Sequence, residues 1–170
     1  IGIGKTEFSR KLSDALFGEL VLEEFDEVLL EKFYTNPTKR AFETEKSFLE
    51  LRLEQHKEYK TRKKYPQIFD YLAHKSIIFA KKTMTKSEFN KFQKDFNHCI
   101  DFFIKPEIVI FLDQEINYIL NNIKKRGRKF EKKIDKEYLE LIKIEYQNWK
   151  TKTKFSLFNV DLNKEDFKNN

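Results

Sequence analysis

The chain has little of what disulfide-bonded, zinc-binding and membrane proteins need. Its 170 residues hold one cysteine, Cys99, and three histidines that lie far apart in the sequence. A single cysteine excludes a disulfide framework and a cysteine-rich zinc site. The sequence also shows no secretory signal and no membrane span. We therefore expect a soluble cytoplasmic protein with no membrane partner.

Positive charge is present but is not concentrated in one block. Lys and Arg number 34 against 28 Asp and Glu, a net charge of +6. A mildly basic surface favours anions such as nucleotides, whereas a small nucleic-acid binder would need a basic block or stripe. The interspersed charges disfavour that second class, and we predict no nucleic-acid partner.

The opening residues, IGIGKTEFSRKL, contain the closing half of a phosphate-binding loop. Gly4, Lys5 and Thr6 fit the last fixed positions of G-x-x-x-x-G-K-[ST], and a helix is predicted directly after them. Backbone N–H groups at Gly2 and Gly4 would face phosphate oxygens, Lys5 would reach the β- and γ-phosphates, and Thr6 would hold Mg²⁺. An ordinary flexible terminus with a chance Gly-Lys-Thr is the alternative, because the first glycine of the pattern lies before the sequence.

Apolar runs alternate with helical patterns along the chain. Strands are predicted at residues 19–25, 68–73, 107–113 and 155–161, and helices at residues 7–17, 38–60, 85–103, 115–125 and 136–150. This alternation predicts a single α/β domain over residues 1–170, a three-layer sandwich with a parallel sheet. The strand that should precede the loop lies outside the sequence, so we expect the first central strand to be missing.

The predicted packing faces follow from helical spacing. The first helix is expected to pack through Phe8, Leu12, Ala15 and Leu16, and the long helix at residues 38–60 through Phe42, Phe48, Leu49 and Leu53. Sites in open parallel sheets lie at the carboxyl ends of the strands. The phosphate-binding loop, Glu23, Glu24, residues 74–76 and Asp113 all fall at such predicted ends.

Two stretches of the sequence resemble a known protein family, and they occur in the same order as in that family. Residues 105–149, which contain the segment Lys-Arg-Gly-Arg, and residues 23–56, which contain EEF and KFYTNP, are similar to the deoxynucleoside kinase family, particularly its mollicute-type bacterial members. The resemblance implies a P-loop NTPase fold with a lid at about residues 124–134. It also implies transfer of the γ-phosphoryl group of ATP to the 5′-hydroxyl of a deoxynucleoside, in nucleotide salvage.

The resemblance assigns catalytic roles. Glu24 matches the general base that takes the 5′-hydroxyl proton, and Glu23 is its rival because the alignment slips by one residue here. Arg126 and Arg128 match the lid arginines that neutralise charge on the transferring phosphoryl group. Taken alone, the two glutamates would read as a solvated strand end and the two arginines as a solvated helix end.

The resemblance also assigns substrate contacts and partners. Tyr34 and Glu131 match the pair that holds the sugar 3′-hydroxyl, Phe79 matches an aromatic against the base, and Glu45 stands where the family has a glutamine that reads the base edge. The implied cofactors are ATP and Mg²⁺, and the implied assembly is a homodimer.

Several positions depart from the family pattern. The acidic-Arg-Ser triplet that follows the third strand is expected at His74-Lys75-Ser76, where Lys75 keeps the positive charge of the arginine but loses its bidentate fork. Asn122 stands where the lid helix often carries arginine. These changes leave open an inactive or truncated homologue that binds nucleotide without turnover. A nucleoside monophosphate kinase is the nearest enzymatic rival.

Glu45 predicts a preference among purines. An ionised carboxylate only accepts hydrogen bonds, and guanine offers two adjacent donors, N1–H and the 2-amino group. Adenine would set a lone pair against the carboxylate. We therefore expect a purine substrate, with deoxyguanosine preferred over deoxyadenosine, unless Glu45 turns to solvent or becomes protonated and imitates glutamine.

Overall fold

The computed structural model describes residues 1–164, in which helices alternate with short strands. The helices are α1 (Lys5–Ala15), α2 (Glu27–Thr35), α3 (Pro37–Lys60), α4 (Lys75–Thr83), α5 (Lys86–Cys99), α6 (Ile116–Arg126) and α7 (Lys136–Lys150). The strands are β1 (Glu19–Val21), β2 (Gln67–Phe69), β3 (Val109–Asp113) and β4 (Leu157–Asp161). Short 3₁₀ turns occupy Ile100–Phe102 and Lys129–Lys133.

The chain divides into two compact units. The first is built from residues 1–21, 64–70 and 105 onward, and the second from residues 22–63 and 71–104. The strands and helices α1, α6 and α7 belong to the first unit, and helices α2 to α5 belong to the second.

The first unit contains parallel strand pairs. β1 pairs with β2 so that Leu20 lies opposite Ile68. β3 pairs with β4 in register from Val109 opposite Leu157 to Asp113 opposite Asp161. α1 contacts both β1 and β2, and α6 contacts α7. All strand pairing is therefore parallel within residues 1–164, as the alternating pattern predicts.

The second unit is organised around α3, which contacts α2, α4 and α5. Its apolar core joins α3 to α4 and α5 through Leu49, Ala73, Ala80, Phe92, Phe96 and Phe103. The helix ends are well capped: the Asn36 side chain accepts from the backbone of Lys39 at the start of α3, and Thr85 and Glu88 form a reciprocal capping box on α5.

The long helices were predicted well. α3 begins one residue before the predicted start, α7 matches residues 136–150, and the capping box of α5 is confirmed. The predicted helix at residues 85–103 ends earlier, at Cys99, because the chain tightens into a 3₁₀ turn.

The strand predicted at residues 68–73 was wrong beyond Phe69. β2 ends at Phe69, and His74 directly precedes α4, a helix that the sequence pattern did not indicate. Residues 74–76 therefore start a helix instead of ending a strand. The apolar residues after Asp70 pack into the core of the second unit. In the sequence, residues 68–73 therefore look like one continuous buried strand.

The predicted face of α1 was also wrong in part. Ala15 and Leu16 are exposed, whereas the small polar residues Ser9 and Ser13 are buried. Ser13 donates a hydrogen bond to the carbonyl of Gly18, and this bond satisfies its hydroxyl.

Among residues 1–164, no helix has the length and apolar character required to cross a membrane.

Candidate active site

The predicted phosphate-binding residues open α1 in the first unit. Gly2 and Gly4 have φ of 65° and 93°, the left-handed region that glycine tolerates best. A Cβ on Gly2 would lie 2.7 Å from Ile123 Cγ1, so only glycine lets the loop pack this closely on α6. Asn122 donates from Nδ2 to the carbonyl of Gly2 at 2.9 Å. The loop is thus fixed against α6, and the first N–H groups of α1 point out of the helix end, an arrangement that favours anions.

Thr6 contacts a carboxylate that sequence reasoning missed. Its hydroxyl donates to Asp70 Oδ2 at 2.7 Å, and the Asp70 side chain is buried. Asp70 directly follows β2, so the carboxyl end of one strand meets the first turn of the helix that follows the loop. A hydroxyl and a carboxylate are the hard oxygen donors that Mg²⁺ prefers, and P-loop NTPases hold the ion with this pair of groups. The donor set therefore fits Mg²⁺.

The predicted lid residues also lie in the first unit and are brought together. Arg126 donates from Nε to Glu131 Oε2 at 3.0 Å and from Nη2 to Oε1 at 2.5 Å. Arg128 Nη1 lies 3.8 Å from Glu131 Oε1. Glu131 is buried, while the two arginine side chains are about one third exposed. Both guanidinium groups are therefore held by one carboxylate at the end of α6.

A charge cluster around a buried arginine lies in the second unit. Arg52, on α3, is 1% exposed and donates from Nε and Nη2 to Glu23 Oε1 at 2.8 and 2.6 Å. Lys75, on α4, lies 2.5 Å from Glu23 Oε2. Arg52 also donates to the Ser76 hydroxyl. Burial alone would raise the pKa of Glu23, but the charges of Lys75 and Arg52 outweigh burial and hold that pKa well below its ordinary value.

Glu24, the next residue, has a different environment. Its side chain is exposed, and its Oε1 accepts from Gln55 Nε2 at 3.1 Å. The same Nε2 donates to the backbone carbonyl of Leu22 at 2.9 Å. The two rival glutamates are therefore distinguished: Glu23 is held by two cations, whereas Glu24 is held by a neutral amide and is open to solvent.

Glu45 is buried next to this cluster, on the same face of α3 as Arg52. Burial raises its pKa from 4.5 to about 7, against the opposing charges of Arg52 and Lys75, and the charge of Glu23 raises it further. Its Oε2 is buried without a hydrogen-bond partner within residues 1–164. The carboxyl group therefore changes its protonation state near neutral pH.

Two other predicted site residues lie on helices of the second unit, and Asp113 ends a strand of the first. Tyr34, on α2, is partly buried, and its ring packs edge to face on Phe33 at 5.2 Å. Phe79, on α4, is buried, and Lys75 Nζ lies 5.7 Å from the centre of its ring. Asp113, at the end of β3 in the first unit, pairs with Lys143 at 2.7 Å. Asp113 thus has a structural partner on α7.

Comparison with known proteins decides the family. A family model for deoxynucleoside kinase matches residues 1–170. This chain belongs to the deoxynucleoside kinase family. It is therefore an ATP-dependent kinase, and the family predicted from the two sequence stretches is confirmed.

Individual relatives cover most of the chain. The deoxyguanosine kinase of Bacillus subtilis (strain 168) is 36% identical over 152 residues, which span 86% of this chain and 73% of that protein. The deoxyadenosine/deoxycytidine kinase of the same organism is 31% identical over 166 residues, 88% of this chain and 72% of that protein. A solved structure of deoxyadenosine kinase from M. mycoides with bound dATP superposes with a TM-score of 0.87 at 27% identity, over 99% of this chain and 90% of that one. The predicted α/β P-loop fold is confirmed.

The end of β2 lies earlier in the chain than one family motif was expected to require. The acidic-Arg-Ser triplet was expected at His74-Lys75-Ser76, but the residues that directly follow the strand are Asp70-Tyr71-Leu72. His74 instead directly precedes α4, and Lys75, on that helix, contacts Glu23.

The raised pKa of Glu45 predicts a pH dependence of stability. Because the folded state holds this proton more tightly than the unfolded chain, the stabilising contribution is full below about pH 4.5 and is lost as the pH rises through about 7. The groups facing Glu45 are Arg52, Lys75, Glu23 and the Ser76 hydroxyl. Replacing Glu45 by Gln removes the titration. Between about pH 5 and about pH 8, the free energy of unfolding of the wild type should fall by roughly 2–3 kcal/mol relative to Glu45→Gln.

Urea unfolding at several pH values measures this difference. Glu43→Gln is the matched control, because Glu43 lies on the same helix but its side chain is 58% exposed. The control should follow the wild type across the whole range. A Glu45→Gln curve parallel to that of the wild type would show that Glu45 titrates normally.

Proposed function

We propose that this chain transfers the γ-phosphoryl group of ATP to the 5′-hydroxyl of a deoxynucleoside in nucleotide salvage, with residues 1–170 acting as one kinase domain and the lid at about residues 124–134. The observation that carries the proposal is the contact of Thr6 with Asp70 behind a glycine loop. A chance Gly-Lys-Thr would not place a buried strand-end carboxylate on the threonine hydroxyl. This contact favours a working phosphate and metal site.

The proposed nucleotide-binding roles are supported by this contact. The N–H groups at Gly2, Gly4 and the start of α1 bind phosphate oxygens, and Lys5 binds the β- and γ-phosphates. Thr6 and Asp70 would hold Mg²⁺, which supplies charge neutralisation between the β- and γ-phosphates when bound. Arg126 and Arg128 stabilise charge on the transferring group, and their pairing with Glu131 keeps both guanidinium groups ordered until substrate arrives.

Glu24 is the proposed base. A general base must accept a proton, and a carboxylate whose pKa is pushed far down by two cations accepts one poorly. Glu23 is in that position, whereas Glu24 is exposed and bonded only to a neutral amide. Phosphoryl transfer needs mainly orientation of the attacking hydroxyl, which a fixed carboxylate oxygen provides. Tyr34 and Glu131 hold the sugar and Phe79 packs on the base in this proposal.

A second candidate is a homologue that binds nucleotide without turnover. It is favoured by Lys75 and Glu45, which depart from the arginine and the glutamine of the family pattern. In the proposed kinase, Lys75 keeps the positive charge of that arginine. Turnover separates the two candidates, since the binding-only homologue gives no product.

The direct test incubates the protein with ATP, Mg²⁺ and each deoxynucleoside, and separately with deoxynucleoside monophosphates. We expect deoxynucleoside 5′-monophosphate from the nucleosides and no transfer to the monophosphates. Glu24→Gln should lower kcat about 10²- to 10⁴-fold, the usual range for general base catalysis, with the fold intact. Glu27→Gln, an exposed neighbour at the start of α2, is the control and should keep wild-type kcat.

Glu23→Gln should behave differently from Glu24→Gln. It leaves Arg52 and Lys75 facing a neutral amide, and removing one partner of such a buried pair costs about 3–5 kcal/mol of stability. Loss of stability without loss of kcat per folded molecule fits the proposal. The reverse pattern, a stable Glu23→Gln without turnover beside an active Glu24→Gln, would assign the base to Glu23.

We also propose that the substrate is a purine deoxynucleoside, with deoxyguanosine preferred when Glu45 is ionised. A buried carboxylate can accept both guanine donors, and adenine offers it no matching pair. Below pH of about 7 the protonated group donates one bond and accepts another, as glutamine does. The B. subtilis relative named as a deoxyguanosine kinase supports this direction.

The ratio of kcat/KM for deoxyguanosine to that for deoxyadenosine should rise about tenfold to a hundredfold as the pH increases from about 6 to about 8, because an unpaired buried polar group costs about 1–3 kcal/mol. The same ratio in Glu45→Gln should stay flat. Initial-rate measurements with both nucleosides across this range check it. A wild-type ratio that does not change with pH, or that favours deoxyadenosine at the alkaline end, contradicts the role of Glu45.

A further inference from the structure

Gln55 lies on α3, and its side chain contacts both the backbone of Leu22 and the carboxylate of Glu24. Its side chain is 5% exposed. Nε2 donates to the Leu22 carbonyl at 2.9 Å and to Glu24 Oε1 at 3.1 Å. One amide nitrogen thus ties the backbone before the acidic pair to the carboxylate of Glu24.

The orientation of this amide is determined by its partners. Leu22 O and Glu24 Oε1 are both acceptors, so the nitrogen must face them and the oxygen must point away. Gln55 Oε1 is consequently buried without a hydrogen-bond partner among the described residues. A buried acceptor that lacks a donor lowers stability, and an apolar side chain of the same length would avoid this cost. The advantage of a glutamine over an apolar side chain at this position therefore comes from the two hydrogen bonds that Nε2 donates.

We propose that Gln55 is a positioning residue that orients the carboxylate of Glu24 for the attacking hydroxyl, an inference that rests on the proposed function of Glu24 as the base. An exposed glutamate samples many rotamers, and most of them point away from a bound substrate. Fixing Oε1 to Gln55 leaves Oε2, which has no hydrogen bond within residues 1–164, as the oxygen that accepts the proton. Correct placement of a reacting group can supply large rate factors, and small misplacements are costly.

The test is a double-mutant cycle on kcat. Gln55→Met keeps the length of the side chain and removes the amide. It should lower kcat about tenfold to a hundredfold while the KM for ATP changes by less than about threefold. In the Glu24→Gln background the same substitution should have no further effect, because Gln55 acts only through Glu24. A merely structural role would lower the amount of folded protein in both backgrounds and leave kcat per folded molecule unchanged.

Further variants make the outcome unambiguous. Gln93→Met replaces an exposed glutamine on α5 and should keep wild-type kcat. If Gln55→Met does not fold, Gln55→Glu replaces it with a group of the same size that repels Glu24 and should lower kcat at least as far. Equal effects of the Gln55 substitution in the wild-type and Glu24→Gln backgrounds would overturn the inference alone. A wild-type protein without any phosphoryl transfer would instead contradict the proposed function on which it rests.

Discussion

The second unit depends on the ion pair between Arg52 and Glu23. A guanidinium group that is 1% exposed on a helix packed into an apolar core must be paired, because an isolated buried charge is strongly unfavourable. The pair joins α3 to the segment at residues 22–24, and Lys75 joins α4 to the same carboxylate. Once Glu23 is fixed in this way, Glu24 is directed to solvent. The excess positive charge of the cluster also opposes the protonation of Glu45, which burial alone would favour more strongly.

Much of the fold could be predicted because its signals are local. α3 and α7 follow from helical periodicity, and the cap of α5 from Thr85 and Glu88 three residues apart. The polar groups of the site could not be predicted from such local signals. Arg52, Gln55 and Asp70 are polar residues within or beside apolar patterns, and such residues usually belong to a solvated face. Their partners are 29, 31 and 64 residues away in the sequence, a separation at which periodicity carries no information.

The glycine loop and the end of β2 illustrate the same limit. Gly4-Lys5-Thr6 was recognised from spacing, but only the contact with Asp70 distinguishes it from a chance match. The error at residues 68–73 arose because an apolar run can pack as a strand or as a turn into a helical core. With the strand end at Phe69, the residues that directly follow β2 are Asp70-Tyr71-Leu72, and His74 precedes α4 instead of ending a strand.

The central claim is that Glu23 is an ionised partner of Arg52 and Lys75 and does not exchange protons during turnover. Carbon-13 NMR of the glutamate carboxyl groups, assigned through Glu23→Gln, measures its titration directly. The account predicts that the Glu23 resonance keeps the shift of an ionised carboxylate as the pH is lowered to about 3, well below the ordinary glutamate pKa. A titration midpoint near the usual value of 4.5 would contradict it, because Glu23 would then be free of its cations and available as the base.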